Sequence, residues 1–208
     1  MKKRFLVLAA TVLIGAAACG GGDGEAGGKP AGHDMPGHDM GGMSAGTAAK
    51  GDHNDQDVMF AQMMIPHHRQ AVQMSKVVAA GSGDAEVKRL AARIERAQAP
   101  EIQTMTGWLK QWGAGERPAA GGQMPGMDHG AGMPGMMSDA QMKKFSGLKG
   151  AALDERFLTM MIEHHEGAVT MAGDELSKGA NGPAKTLAQA IVTTQRTEIA
   201  TMRSMLKK

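Results

Sequence analysis

Thioether and imidazole side chains recur at helical spacing in two short segments. The first reads Met63-Met64-Ile65-Pro66-His67-His68 with Met74; the second reads Met160-Met161-Ile162-Glu163-His164-His165 with Met171. On a helix, Met63 and His67 are i,i+4 neighbours, and Met74 lies two turns beyond His67 on the same face. Met160, His164 and Met171 stand in the same relation. Thioethers are soft ligands and imidazole is intermediate, so this set suits Cu(I), by the same softness Ag(I), and through imidazole also Cu(II). His68 and His165 are offset by about 100° from His67 and His164. The two histidines of a pair are therefore not expected to share the inward direction. One ligates while the other takes a rim site or a hydrogen bond.

Gln98, Glu101, Gln195 and Glu198 fall on the inward stripes of the segments that follow and supply polar surroundings. Burying such groups is costly unless they are paired or bound. The competing account has His67 and His164 donating to Glu101 and Glu198 while the methionines only pack.

Other metal chemistries fit less well. A ferritin-type di-iron centre uses Glu-x-x-His on two helices, and the residues three before the four histidines are Met64, Ile65, Met161 and Ile162. Zinc prefers Cys, His or carboxylate. A haem with His/Met ligation needs a heterologous pair and room for a large ring. No nucleophile triad, phosphate loop or acid pair is present, so the expectation is a non-enzymatic protein. The alternatives are a ferritin-like di-metal or haem-binding redox protein, or a structural, partner-binding bundle without metal.

Composition supports soft-metal chemistry. The chain has 20 Met and a single Cys in 208 residues. A thioether stays a soft ligand in an oxidising compartment, where thiols pair. Two Gly-rich stretches carry the same residue types without core-forming neighbours. His33, Met35, His38, Met40 and Met43 lie in residues 19–52, and Met124, Met127, His129, Met133, Met136 and Met137 lie in residues 113–137. These read as a flexible tether and an insert that capture metal weakly and exchangeably.

The elements that position these residues follow from an internal repeat. A shift of 97 residues aligns Asp57–Leu109 with Asp154–Leu206 without a gap. It pairs Phe60, Met63, His67, His68 and Met74 with Phe157, Met160, His164, His165 and Met171, then Gln98, Glu101 and Met105 with Gln195, Glu198 and Met202. Each half, residues 53–112 and 138–208, reads as two helices. Phe60, Met63, His67, Ala71, Met74 and Val78 form one apolar stripe; Leu90, Ile94, Gln98, Glu101, Met105 and Trp112 form the next. Gly81–Asp84 and Gly179–Asn181 break the hairpins, with Asp84 and Asn181 as N-caps. Ser138 with Gln141 makes a capping box that opens a short extra helix. Pro100 predicts a kink within the second helix. Neither hairpin can bury its stripe alone, so the fold expected over residues 53–208 is all-α, a ferritin-like four-helix bundle built from two duplicated hairpins with one long crossover.

The N-terminus predicts export. Lys2, Lys3 and Arg4 precede a charge-free apolar run, Phe5 to Ala18. As a helix this run would span about 21 Å, short of a roughly 30 Å hydrocarbon core, so residues 1–18 read as a signal peptide. Small residues before Cys19 resemble a lipoprotein signal box, which would make Cys19 the lipid-anchored N-terminus in a bacterial cell envelope. Removing the three basic residues of the signal leaves 20 basic against 21 acidic groups, a net charge of −1. That balance gives no electrostatic footprint for nucleic acid. The expected partners are a metal ion, the membrane through the lipid anchor, and a protein that exchanges metal.

At Phe157-Leu158-Thr159-Met160-Met161-Ile162-Glu163-His164-His165 through Ala168 and Met171-Ala172, then Gln195, Glu198-Ile199 and Met202, the chain resembles the CopM-like family of envelope four-helix proteins, catalogued as domain of unknown function 305. Both halves match, over about residues 53–208. The resemblance implies a ferritin-like fold, binding of copper and silver through Met and His, and a role in copper resistance. Carried onto this chain, it points to Met63, His67, His68, Met74, Met160, His164, His165 and Met171. The Met/His-rich tether and insert are outside the family pattern.

Overall fold

The computed structural model describes residues 52–116 and 133–208, which form five helices and, among the described residues, no strand. They are α1 Asp55–Gly81, α2 Ala85–Gln111, α3 Asp139–Ser146, α4 Gly150–Lys178 and α5 Gly182–Met205. Residues 1–51, which hold nearly all of the tether, and residues 117–132 lie outside the described residues.

Local chemistry sets the helix ends. Asn54 caps α1 in a reciprocal box with Asp57. Asp84 caps α2, Ser138 with Gln141 caps α3, and Asn181 caps α5, as the sequence predicts. Gly113, at φ +68°, ends α2. The Gly113 N–H donates to the Lys110 carbonyl and the Ala114 N–H to the Leu109 carbonyl, the two bonds of a Schellman motif. Pro66 and Pro100 both sit inside helices that run through them.

α1 packs along α2, α4 packs along α5, and the two hairpins join through α1 against α4. Equivalent carboxylates tie the hairpins. Asp57 accepts from the backbone N–H groups of Ala180 and Asn181 in the α4–α5 loop. Its repeat mate Asp154 accepts from the Asp84 N–H in the α1–α2 loop at 3.3 Å. The start of each inner helix thus meets the loop of the other hairpin, so α1 and α4 run antiparallel.

Two apolar clusters fill the interior. One holds Met74, Leu90, Phe145, Phe157 and Met160; the other holds Phe60, Met64, Met105, Met171 and Ile191. Along α1 the second cluster comes before His67 and the first after it; along α4 the order reverses. The histidines stand between them, at the midpoints of the two inner helices. No described helix is long and apolar enough to cross a membrane.

Candidate metal centre

His67, His68, His164 and His165 are all completely buried. The His67 and His164 rings meet across the α1–α4 contact with centroids 3.7 Å apart and planes 36° apart. The sequence led us to expect one Met/His cluster per hairpin; instead the two halves share a single polar layer. Gln98 and Gln195, one turn before Glu101 and Glu198, are buried as well, at 3 % exposure each.

Each helix of the inner pair is covered on two sides, by its hairpin partner and by the other inner helix. This explains how neighbouring histidines about 100° apart are both buried. His68 turns toward α2 and donates from Nε2 to Glu101 Oε2 at 2.7 Å; His165 makes the equivalent bond to Glu198 at 2.7 Å. The competing account gave these carboxylates to His67 and His164; in the structure they pair with His68 and His165, the second histidine of each pair. The His67 Nε2–H is taken by the backbone carbonyl of Pro134 at 3.0 Å.

These bonds dictate tautomers. A carbonyl or an ionised carboxylate only accepts, so Nε2 carries the proton in a neutral His67, His68 or His165 and the lone pair lies on Nδ1. The Nδ1 atoms of all three, and both nitrogens of His164, have no hydrogen-bond partner in the protein. Burial, reinforced by the charge of His68, pushes His67 down to about 3. Burial and the charge of His67 likewise hold His164 well below its ordinary value. Both rings are therefore neutral at physiological pH, the form that ligates a metal.

The methionines expected at the site flank this layer on both sides. Met74 and Met160 lie in one apolar cluster and Met171 in the other, all buried, while Met63 is half-buried against the second. Met64 and Met161, at 0 % exposure, are buried beside the expected Met63 and Met160. Among the described residues, no three His, Cys, Asp or Glu side chains are grouped to hold a metal ion. Glu101 and Glu198 are each engaged by one imidazole. The donor set is nitrogen and thioether, which fits a soft cation and not a carboxylate-bound one.

Cys19, His33, Met35, His38, Met40, Met43, Met124, Met127 and His129 lie outside the described residues. Met133, Met136 and Met137 lie within them. Met137 is 6 % exposed and belongs to the first apolar cluster, so packing accounts for it, contrary to its reading as part of a loose tract. Met133 and Met136 are half-buried. Sequence reasoning missed Pro134, Gly135, Gly167 and Gln70, which bring this segment onto the histidines. One signal was present: the triplet Met-Pro-Gly occurs at residues 35–37, 124–126 and 133–135.

The sequence profile of the family described as Domain of unknown function (DUF305) matches residues 57–206. The chain belongs to the DUF305 family. Among solved structures it is similar to a DUF305 protein from Streptomyces coelicolor, with 39% identity, TM-score 0.66 and coverage of 73% of this chain and 92% of that one. It is also similar to a DUF305 fragment from Deinococcus radiodurans, with 34% identity, TM-score 0.64 and coverage of 74% and 97%. A third similar structure is CopM in the Cu(II)-bound form, with 31% identity, TM-score 0.60 and coverage of 73% and 95%. CopM has also been solved in Cu(I)-bound and Ag-bound forms. No curated protein matches the chain.

Proposed function

We propose that this chain is a non-enzymatic copper-binding lipoprotein of the bacterial cell envelope, which sequesters or hands on Cu(I), and equally Ag(I), at the histidine layer. One observation carries the reading: five imidazole nitrogens buried at the α1–α4 crossing have no partner in the protein. With Gln98 Oε1 and Gln195 Oε1 they make seven such atoms on the helices of the two hairpins. At about 1–3 kcal/mol each, their cost rivals a domain's whole stability of about 5–15 kcal/mol. A layer of leucines would cost nothing of the kind, so the layer is kept for what it binds. His67, His68, His164 and His165 would hold the cation, with Met63, Met74, Met160 and Met171 as the thioethers on either side. Glu101 and Glu198 orient rings by the carboxylate–imidazole pairing common around metal ligands.

The copper-bound and silver-bound forms of CopM support the choice of metal, and the Streptomyces coelicolor relative, whose description proposes secretion, supports export. The signal peptide of residues 1–18, lipidation at Cys19, and the ferritin-like four-helix arrangement with one crossover belong to the same reading.

The test is a Cu(I) titration under reducing conditions of residues 20–208, repeated with His67→Ala and His164→Ala. Loss of one class of tight sites is expected. Unchanged affinity and stoichiometry in a version also lacking residues 20–52 and 117–132 would exclude the histidine layer.

A further inference from the structure

Residues 133–137 form a tight turn fixed to the histidine layer from both inner helices. The Met136 N–H donates to the Met133 carbonyl at 3.0 Å, with Pro134 and Gly135 between them. Gly135 has φ +73°, and Pro followed by a left-handed Gly is the pattern of a type II turn. The Pro134 carbonyl takes no part in the turn's own bond and accepts from His67.

The seat on α4 is made by two glycines. A Cβ at Gly167 would overlap the Pro134 carbonyl oxygen; one at Gly135 would lie 2.5 Å from the Glu163 carbonyl and 2.9 Å from that of His164. Turn backbone thus rests on helix backbone beside His164. From α1, Gln70 grips the last residue: its Oε1 accepts from the Met137 N–H at 2.7 Å, and its Nε2 donates to the Met137 carbonyl at 2.8 Å. Gln70 and Gly167 are repeat mates. One half uses this position as an amide clamp and the other as a notch, and both serve the same five residues.

We propose that Met133–Met137 is a metal-delivery strap: its Pro134 carbonyl fixes the tautomer of His67, and the thioethers of Met133 and Met136 pass a soft monovalent cation to His164. The proposal rests on the soft-metal reading of the histidine layer. Because a carbonyl cannot donate, the strap commits the His67 lone pair to Nδ1. Met133 and Met136 are only half-buried, unlike the buried methionines of the bundle. A thioether binds a soft cation without needing deprotonation, which suits transfer. His164, against which the strap lies, keeps both ring nitrogens free.

The test compares the chain from Cys19 onward with Gly167→Ala, Gln70→Ala and Met133→Leu/Met136→Leu variants. Alanine is the better helix former, so Gly167→Ala keeps α4 while evicting the turn; Gln70→Ala loosens it from the other side. In the metal-free proteins, ring 15N spectra should show His67 locked as Nε2–H in the parent and in the double Leu variant. It should become a tautomer mixture in Gly167→Ala and Gln70→Ala. Unchanged His67 signals in both variants overturn the seat. With Ag(I) as probe, the double Leu variant should load about tenfold more slowly, in line with losses at groups supporting metal ligands, while reaching the same occupancy at the histidines. An unchanged loading rate overturns the relay. If Ag(I) never perturbs His67 or His164 in the parent, the soft-metal reading and the relay both fall, while the metal-free spectra still decide the seat.

Discussion

The α1–α2 and α4–α5 hairpins repeat one sequence pattern, and the places where they agree and differ divide the labour of the molecule. They agree at the crossing: His67 with His164, His68 with His165, Gln98 with Gln195, Glu101 with Glu198. They differ at several buried positions, among them Ala61 with Leu158, Ser75 with Ala172 and Val87 with Ala184, and two further differences change the chemistry. Gln70 faces Gly167 in the alignment, where the strap is held, and Val78 faces Glu175, which is fully buried near the start of α1. Residues kept in both halves build the shared layer. At Gln70 and Gly167 the change serves an element that exists only once, the strap.

The largest expected effect comes from erasing what the halves share. Replacing His67 and His164 together by Leu, of similar volume, removes three of the five partnerless ring nitrogens. Metal-free stability should rise by about 1–4 kcal/mol, as when buried polar groups give way to apolar ones, while Ag(I) and Cu(I) binding at the layer is lost. Urea unfolding and a metal titration on the same sample check both. A fall in stability would show that the rings are structural and would remove the case for a retained binding layer.

The equivalent carboxylates should differ next. Asp57 accepts from the backbone N–H groups of Asn54, Ala180 and Asn181, whereas Asp154 accepts only from Asp84, at 3.3 Å. Burial works to raise Asp57, but the bonds from Glu175 and those backbone groups outweigh it and hold its carboxyl below the usual range. Asp57→Ala should therefore cost about 2–3 kcal/mol and Asp154→Ala about 1 kcal/mol, given the worth of bonds to a charged acceptor. Equal costs in chemical denaturation would mean that the ties are interchangeable.

A pH profile tests the Val78–Glu175 difference. Burial, with the bond to and charge of Asp57, pushes Glu175 up to about 8 from 4.5. The charge of Lys185 and a bond from Gln56 oppose the rise and do not cancel it. Between those values the folded state holds a proton that the unfolded chain has released. Stability from this group is full below 4.5 and is lost as pH rises through 8, by at most about 1.4 kcal/mol per pH unit. His67, held down at about 3 against 6.5, acts oppositely: the unfolded chain binds the extra proton, so stability falls as pH drops from 6.5. The metal-free protein should be most stable near the histidine value, and Glu175→Val should abolish the alkaline decline alone. A decline that persists in Glu175→Val would assign it to another group.

Local patterns were legible and relations between elements were not. The repeat period, the two hairpins, the caps Asp84 and Asn181 and the Ser138–Gln141 box depend on residues close in sequence, and each is found as expected. Which histidine of each pair takes the carboxylate was not legible, and only the competing account named one, His67 and His164, where the structure has His68 and His165. A single-stripe wheel allows one buried direction, while α1 and α4 are each covered on two sides. The strap was illegible for a related reason. Its Gly-rich composition predicts a chain that buries nothing by itself, and its seat is made by a glycine 32 residues away that reads only as a weak point in α4.

The smallest effect separates that glycine from its neighbour in the same helix. Gly173 is exposed, and a Cβ there would meet nothing within 4 Å; its repeat mate is Lys76. Nothing in the surroundings requires it, so Gly173→Ala should stabilise the protein by about 0.5–1 kcal/mol through helix propensity alone. Metal loading should be unaltered. Gly167→Ala gains the same propensity but forces the strap away, so its thermal midpoint should lie below that of Gly173→Ala by the worth of the strap's contacts. If the two variants shift the midpoint upward equally, the notch at Gly167 holds nothing, and the asymmetry between the halves at this position has no structural consequence.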